Sequence, residues 1–472
     1  MAEKLAVVVD VINIIKVQMK KVFVVILLLI STLCFSQNKS NDSTKVYKKR
    51  VLESSEIDFL TSYYLQDGKN AAVTGGIGTE EIDDFTSTLV VTVPLNADDI
   101  LTVDFGISAY SSASSSNINP FDADYANAFQ ASSGASASDV WYNFVGSYSH
   151  SSDSRNTIWD AKLSVSIEFD YYSFGLGGGI TRLFNEKNTE LSVHGNVFID
   201  FWDAKYPVEL KPAGSSDEDG DEHFNINNYT ITGNTNYNPI FQEFDNKMRN
   251  SYSIGFGLSQ ILSKNFQTLF ALDMVLQQGL LSTPYQRIYF SDIEDSFIED
   301  FQLADAIEQL PDLRFKLALG NRMSLYMNEY IVLRSFYRYY FDDWGITSHT
   351  ASIEVPVKIT DKFTLYPSYR YYSQTAANYF APYETHISTD RFYTSDYDLS
   401  KFYANQYGFG LTYTDIFTNS HIWIFGLKSI DLKFNYYERD SGFNAMFIVG
   451  GFKFVLDDRK KSIPKLLNRI GF

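Results

Sequence analysis

Residues 329–374 read EYIVLRSFYRYYFDDWGITSHTASIEVPVKITDKFTLYPSYRYYSQ, and this stretch decides the fold. It holds three segments with a two-residue period. In the first, Ile331, Leu333, Tyr337, Tyr339 and Phe341 share one face, and Arg334 and Arg338 the other. A corner at Asp342, Asp343 and Trp344 follows. In the second, Ala351, Ile353, Val355, Val357 and Ile359 alternate with Ser348, Thr350, Ser352, Glu354 and Lys358. After a tight turn at Thr360–Lys362, Phe363, Leu365, Tyr369 and Tyr371 alternate with Thr364, Ser368, Arg370 and Gln374. Long alternation with aromatic ends and a charged polar face is the pattern of a transmembrane antiparallel β-barrel wall. A soluble sheet also alternates, but its strands are usually about half this long.

Working outward, composition agrees. The chain has 472 residues, is 45% hydrophobic and 16% aromatic, and includes 33 Tyr and 38 Phe. A mean hydropathy of -0.17 is too polar for a helical membrane protein. It suits a barrel, where every second strand residue faces lipid and aromatic girdles mark the interfaces. A net charge of -18 argues against nucleic acid as a partner. The single cysteine, Cys34, excludes a disulfide framework or a cysteine zinc site elsewhere.

Cys34 lies in a leader. Lys20 and Lys21, then the apolar run Val22–Ile30, then small or neutral residues to Ser36 read as a cleaved secretory signal peptide. Met19 is its natural start, which makes residues 1–36 an upstream extension plus leader. Residues 37–55 then read as a short periplasmic segment, 56–456 as the barrel and 457–472 as a basic periplasmic tail. No second apolar run long enough for a membrane helix follows Ser36.

Sixteen candidate strands lie near 56–66, 82–94, 100–113, 138–150, 157–170, 171–184, 189–203, 250–262, 266–279, 312–324, 329–342, 346–359, 363–374, 404–416, 427–440 and 443–456. Short turns alternate with connections that are often long, at 67–81, 114–137, 204–249, 280–311 and 375–403. Barrels of the bacterial outer membrane pair short periplasmic turns with long extracellular loops. Tyr-Tyr pairs at 63–64, 171–172, 339–340, 371–372 and 436–437 all fall near the long-loop ends, as an outer aromatic girdle would. The segment 280–311 has room for a further strand pair or a short helix.

Strand parity assigns charges to the lumen. Asp58, Asp104, Asp160, Glu168, Glu190 and Asp200 form an acidic wall; Arg314, Lys316, Arg322, Arg334, Arg338, Lys358 and Arg370 form a basic one. Opposed walls would set a transverse field and ion selectivity across a pore. Mutual pairing across a filled lumen is the alternative. In the loop SDEDGDE (216–222), Asp217, Asp219 and Asp221 offer hard oxygen ligands for calcium, although a solvated acidic loop is the simpler reading. No other cofactor is indicated. His194 points inward, but no nucleophile–base pair or GxSxG elbow is present, so an enzyme is not expected. GLGGG (175–179) lies within a strand and is not a phosphate loop.

Four segments carry a family resemblance: AVTGGIGTE (72–80), SNINPFD (116–122), DDWGIT (342–347) and FAPYETHISTDRFYTSDYDLSKF (380–402). Together they resemble the uncharacterised Bacteroidota outer-membrane barrel family known as domain of unknown function 3570. The resemblance implies a cell-envelope barrel with no assigned substrate or catalytic residues. It also implies gene neighbours that include a small lipoprotein, a thioredoxin-like protein and a flavin transferase, hence a redox-linked setting. The expected function is therefore an outer-membrane pore or solute channel, surrounded by outer-membrane lipids. The alternative is a non-conducting scaffold working with a periplasmic or lipoprotein partner. The solute and the oligomeric state are not readable.

Overall fold

The computed structural model describes residues 49–111, 138–210, 226 and 229–456. The leader, the acidic loop with Asp217, Asp219 and Asp221, the motif at 116–122 and the basic tail lie outside the described residues. The described chain is a closed antiparallel barrel of sixteen strands. In order these are β1 (Glu56–Asp67), β2 (Ile82–Pro94), β3 (Asp99–Ser111), β4 (Ser138–Ser151), β5 (Thr157–Ile167), β6 (Tyr171–Phe184), β7 (Thr189–Trp202) and β8 (Met248–Ser263). Then come β9 (Phe266–Gly279), β10 (Leu313–Tyr326), β11 (Val332–Asp342), β12 (Thr347–Glu354, continued by Val357–Lys358), β13 (Phe363–Gln374), β14 (Phe402–Thr414), β15 (Phe425–Arg439) and β16 (Asn444–Leu456). Each strand pairs with its sequence neighbours. β1 closes the ring on β16, in register from Glu56 opposite Val455 to Asp67 opposite Asn444.

The period-2 pattern explains the wall. Phe59, Leu89, Phe105, Phe144, Val165 and Phe174 form one row across β1 to β6, and Phe59, Leu89, Phe144 and Phe174 are exposed, as are Ile199, Phe256, Leu319, Tyr337, Tyr369 and Phe409. This is the outer face. Two strands differ from the sequence pattern. β12 is interrupted at Pro356, because proline has no N–H to give the ladder; Pro356 instead accepts from Val332 N at 3.1 Å. β5 ends at Ile167, and Glu168 enters a tight turn in which its N–H donates to Tyr171 O at 2.8 Å.

The core is not in the wall. Among the described buried apolar residues, only Phe402, Ala404 and Ala445 belong to barrel strands. The others lie in connections that leave one rim, at 68–81, 203–247, 280–312, 343–346, 375–401 and 440–443. Tyr206, Leu210, Tyr289, Ala304 and Ile307 form one cluster; Ile288, Phe290, Ala306 and Tyr393 a second; Leu281, Leu310 and Trp344 a third. Segment 280–312 does hold extra strands, but they stay out of the wall. Arg287–Ile288 pairs with Ala306–Ile307, and Ser296–Ile298 pairs with Phe301–Gln302 and Ile231–Gly233. The long connections thus fold on each other as a cap.

Candidate functional site

The site comprises the cap and the inner wall beneath it. The cap is held from within by a buried ion pair. Arg287 and Glu209, 1% and 0% exposed at their side chains, meet at Nε–Oε1 2.6 Å and Nη2–Oε2 3.1 Å. Arg287 also donates to Val73 O at 3.3 Å, so one guanidinium joins three connections. Segment 72–80 packs inward on the same point. Gly75 and Gly76 adopt φ of +78° and +93°, and a Cβ on Gly75 would strike the Tyr289 ring. Segment 380–402 also folds inward, with His386 buried and 2.9 Å from Thr394 O through Nε2. DDWGIT is a corner built on Asp342. Its carboxylate accepts from Arg314, from Tyr340 Oη at 2.7 Å, and from Trp344 N and Ile346 N at 3.1 and 2.9 Å.

Glu308 is a second buried carboxyl, 2% exposed, between Thr283 N at 2.6 Å and the Thr394 hydroxyl. Burial pushes its pKa up to about 8, and the nearby Asp396 carboxylate acts in the same direction. Asp305, which accepts from Phe290 N at 2.8 Å, is raised by burial to about 6. A raised carboxyl pKa favours the folded cap fully only below the unfolded value, near 4.5 for glutamate. That contribution drains as pH rises and is gone above about 8. Cap protection is therefore expected to fall between pH 5 and 8 in hydrogen exchange of residues 283–310, corrected for intrinsic rate. Glu308→Gln should flatten the upper part of this fall and leave what Asp305 and Asp396, both raised by burial, contribute below it; an unchanged profile would refute the assignment.

The cap joins the wall through a repeated device. In each Tyr-Tyr pair one ring faces out and the other in. Tyr64, Tyr340 and Tyr372 donate to the residue two positions on, Gln66, Asp342 and Gln374, at 2.8, 2.7 and 2.6 Å. Tyr437 accepts from Arg439 Nε at 2.9 Å, and Tyr171 donates to Asp200 at 2.5 Å. Most of these supported residues then reach the cap. Gln66 donates to Glu80 O at 2.7 Å, Gln374 to Asp398 O and Ser400 O at 2.9 and 2.6 Å, and Arg439 to Asp398 Oδ1 at 2.6 Å.

Register places the charges assigned to the basic and acidic walls as follows. Arg314 is taken up by Asp342 (2.5 Å) and lies 4.2 Å over the Trp344 ring. Arg334 pairs with Glu354 at 2.9 Å, Arg322 lies 5.7 Å from the Phe336 ring centre, and Lys358 pairs with Asp361 in a turn at the rim away from the cap. Lys316 is opposite Asp342. Arg338 Nε is shielded from solvent yet has no hydrogen-bond partner among the described residues, and the same holds for Thr350 Oγ1, directly across the ladder. On the acidic side Asp58 pairs with Lys453 at 3.2 Å, Asp200 lies opposite Arg249, and Asp104 has a shielded oxygen without a partner. Asp160 lies opposite Gly179, and Glu190 opposite Ser259. Glu168 is the exception, in the β5–β6 turn rather than on the wall. His194 Nε2 is 3.6 Å from Asp273 Oδ1. No group of three His, Cys, Asp or Glu able to hold a metal ion occurs among the described residues.

A family model described as "Protein of unknown function (DUF3570)" matches residues 25–456. The chain belongs to this family. No curated protein matches it. Solved structures to which the chain is similar include a bacterial polysaccharide outer membrane secretin, at 9% identity and TM-score 0.43, covering 87% of this chain and 99% of that one. A BenF-like porin from Pseudomonas fluorescens Pf-5 matches at 9% identity and TM-score 0.38, covering 86% and 100%. The outer membrane protein OpdK from Pseudomonas aeruginosa matches at 8% and 0.36, covering 85% and 99%.

Proposed function

We propose that this family member is an outer-membrane pore whose mouth is covered by its own loops, passing small solutes through a charged lumen. The observation that carries this reading is the division of the barrel: an apolar exposed face outside, and the folded apolar core of the described residues gathered at one rim. Apart from the interrupted β12, the strands run from 11 to 16 residues, for β11 and β8 respectively, enough to meet or exceed the roughly 9–11 needed to cross a bilayer. A sixteen-stranded ring leaves room for a water channel. The long connections are placed outside the cell and the signal peptide is taken as cleaved. In a sixteen-strand ring the acidic strands β3 and β5 lie across from the basic strands β11 and β13, giving the lumen a transverse field.

Planar-bilayer conductance of the purified protein tests this. A steady conductance with measurable ion selectivity is expected, rising at alkaline pH as the cap loosens; verified insertion with silent bilayers would overturn the pore. Arg338→Glu should move the reversal potential toward cation preference. Arg334→Glu should move it in the same direction, because it turns the Arg334–Glu354 pair into two adjacent carboxylates. No shift from either variant would overturn the charged lumen.

A further inference from the structure

Beneath the cap, the inner wall is hollowed between β13, β14 and β15. One recess of ≈ 290 Å³ is lined by Arg370, Tyr372, Phe402, Gln406, Tyr437 and Arg439, with Asp398 of the cap above it. A second, of ≈ 230 Å³, continues it below and shares Arg370 and Gln406. The charges here do not cancel. Arg439 is answered by Asp398 at 2.6 Å and packed on the Phe402 and Phe443 rings at 4.4 and 4.3 Å. Glu354 is shared between Arg334 at 2.9 Å and Lys433 at 3.8 Å. Arg370, exposed at the boundary of both hollows, has no acceptor among the described residues. Opposite Arg370 on β12 is Ser352, and two residues along is Thr350, fully buried with an unpartnered hydroxyl that faces the unpartnered Arg338 Nε across the ladder. A chain with net charge -18 thus keeps an unanswered guanidinium at a small ring-lined hollow.

We infer that this hollow binds a small organic carboxylate with a flat apolar body. The fork of Arg370 matches a carboxylate with two parallel N–H···O bonds. The Tyr372 and Tyr437 rings take the apolar body, with Phe402 buried and packed against Tyr372 at 5.5 Å, and Gln406 supplies a polar edge. The volume sits at the lower limit of small-molecule sites, about 300–1,000 Å³, which suits one ring rather than a chain of sugars. This inference deepens the channel reading, on which it rests only for how the ligand arrives.

The test is calorimetric titration of the full chain in detergent micelles with benzoate, the neutral isostere benzamide and inorganic phosphate as probes. Benzoate is expected to bind, benzamide and phosphate much more weakly. Arg370→Gln should weaken benzoate by about 10–100-fold, the loss of a charge-assisted pair of bonds. Arg370→Lys keeps the charge without the fork and should fall between. Arg322→Gln, three strands away on β10 beside the Phe336 ring, should bind as the parent does. Heat-modifiable migration on gels verifies that each variant is a folded barrel. Absence of benzoate binding in the parent, or binding unmoved in Arg370→Gln, overturns the inference; phosphate binding as well as benzoate overturns the class of ligand. Binding in micelles needs no conduction. A silent bilayer with benzoate bound defeats the pore alone, and a conducting pore without benzoate bound defeats this site alone.

Discussion

Arg287→Met is expected to unfold the cap while leaving the barrel intact. The substitution removes the positive partner of Glu209, whose side chain is 0% exposed, and strands a carboxylate in an apolar cluster. Breaking a buried pair in this way costs about 3–5 kcal/mol, more than a loop assembly of this size can lose and stay closed. The cost falls on the cap because the groups Arg287 engages there, Glu209, Val73 O and the Phe301 ring at 5.5 Å, all belong to the cap. Chymotrypsin should then cut at Tyr289 and Phe290, both buried in the parent, while the gel shift of the folded barrel on heating persists. The double variant Arg287→Met, Glu209→Leu should restore protection, because replacing a whole buried pair by apolar groups is often neutral. A double variant as sensitive as the single one would show that the pair orders the cap by its geometry and not by its charge balance.

Gly279→Val should have an effect of similar size by a different route. Gly279 ends β9 at a φ of +113°, where a side chain is strained by about 1–3 kcal/mol. A Cβ there would stand 2.0 Å from Met248 O, a backbone atom fixed by the bond it accepts from Leu280 N at 2.8 Å. Relief requires breaking that bond, which sets the direction in which segment 280–312 leaves the wall. Trypsin should gain access to Arg287, and bilayer conductance should rise together with cleavage. If Gly279→Val is as resistant as the parent, the path of the segment is set by its far contacts instead.

The wall was legible in sequence because each strand repeats one two-position rule many times, so errors of a residue at an end do not change the faces. The misreadings occurred where the rule is locally overridden. Pro356 breaks β12 for want of an N–H, and Glu168 continues the alternation of β5 in sequence while the chain is already turning. The cap was not legible, because its structure comes from meetings between residues with no periodic relation. Arg287 and Glu209 are 78 residues apart, and Glu308 and Thr394 86. One signal was available. Leu280, Leu281, Ile288, Tyr289, Phe290, Ile298, Leu303, Ile307 and Leu310 are too many apolar side chains for a connection lying in water. Strand parity puts Arg338 and Arg370 among many bases; only register distinguishes them from Arg314 and Arg334, whose partners come from adjacent elements.

The Tyr-Tyr pairs bear on how the cap keeps its height. Consecutive strand residues point to opposite faces, so each pair puts one phenol toward the surroundings and one under the cap. Tyr63, Tyr172, Tyr371 and Tyr436 are exposed, while Tyr64, Tyr171, Tyr372 and Tyr437 engage the inner polar groups. A strand that slips by one residue exchanges every inward side chain for an outward one. At a doubled tyrosine the exchange replaces like with like, so a misregistered strand still presents an anchor on each side while the rest of the barrel searches for its ring closure. Because the outward phenol and the one that engages inner polar groups are consecutive residues, neither can move along the strand without the other.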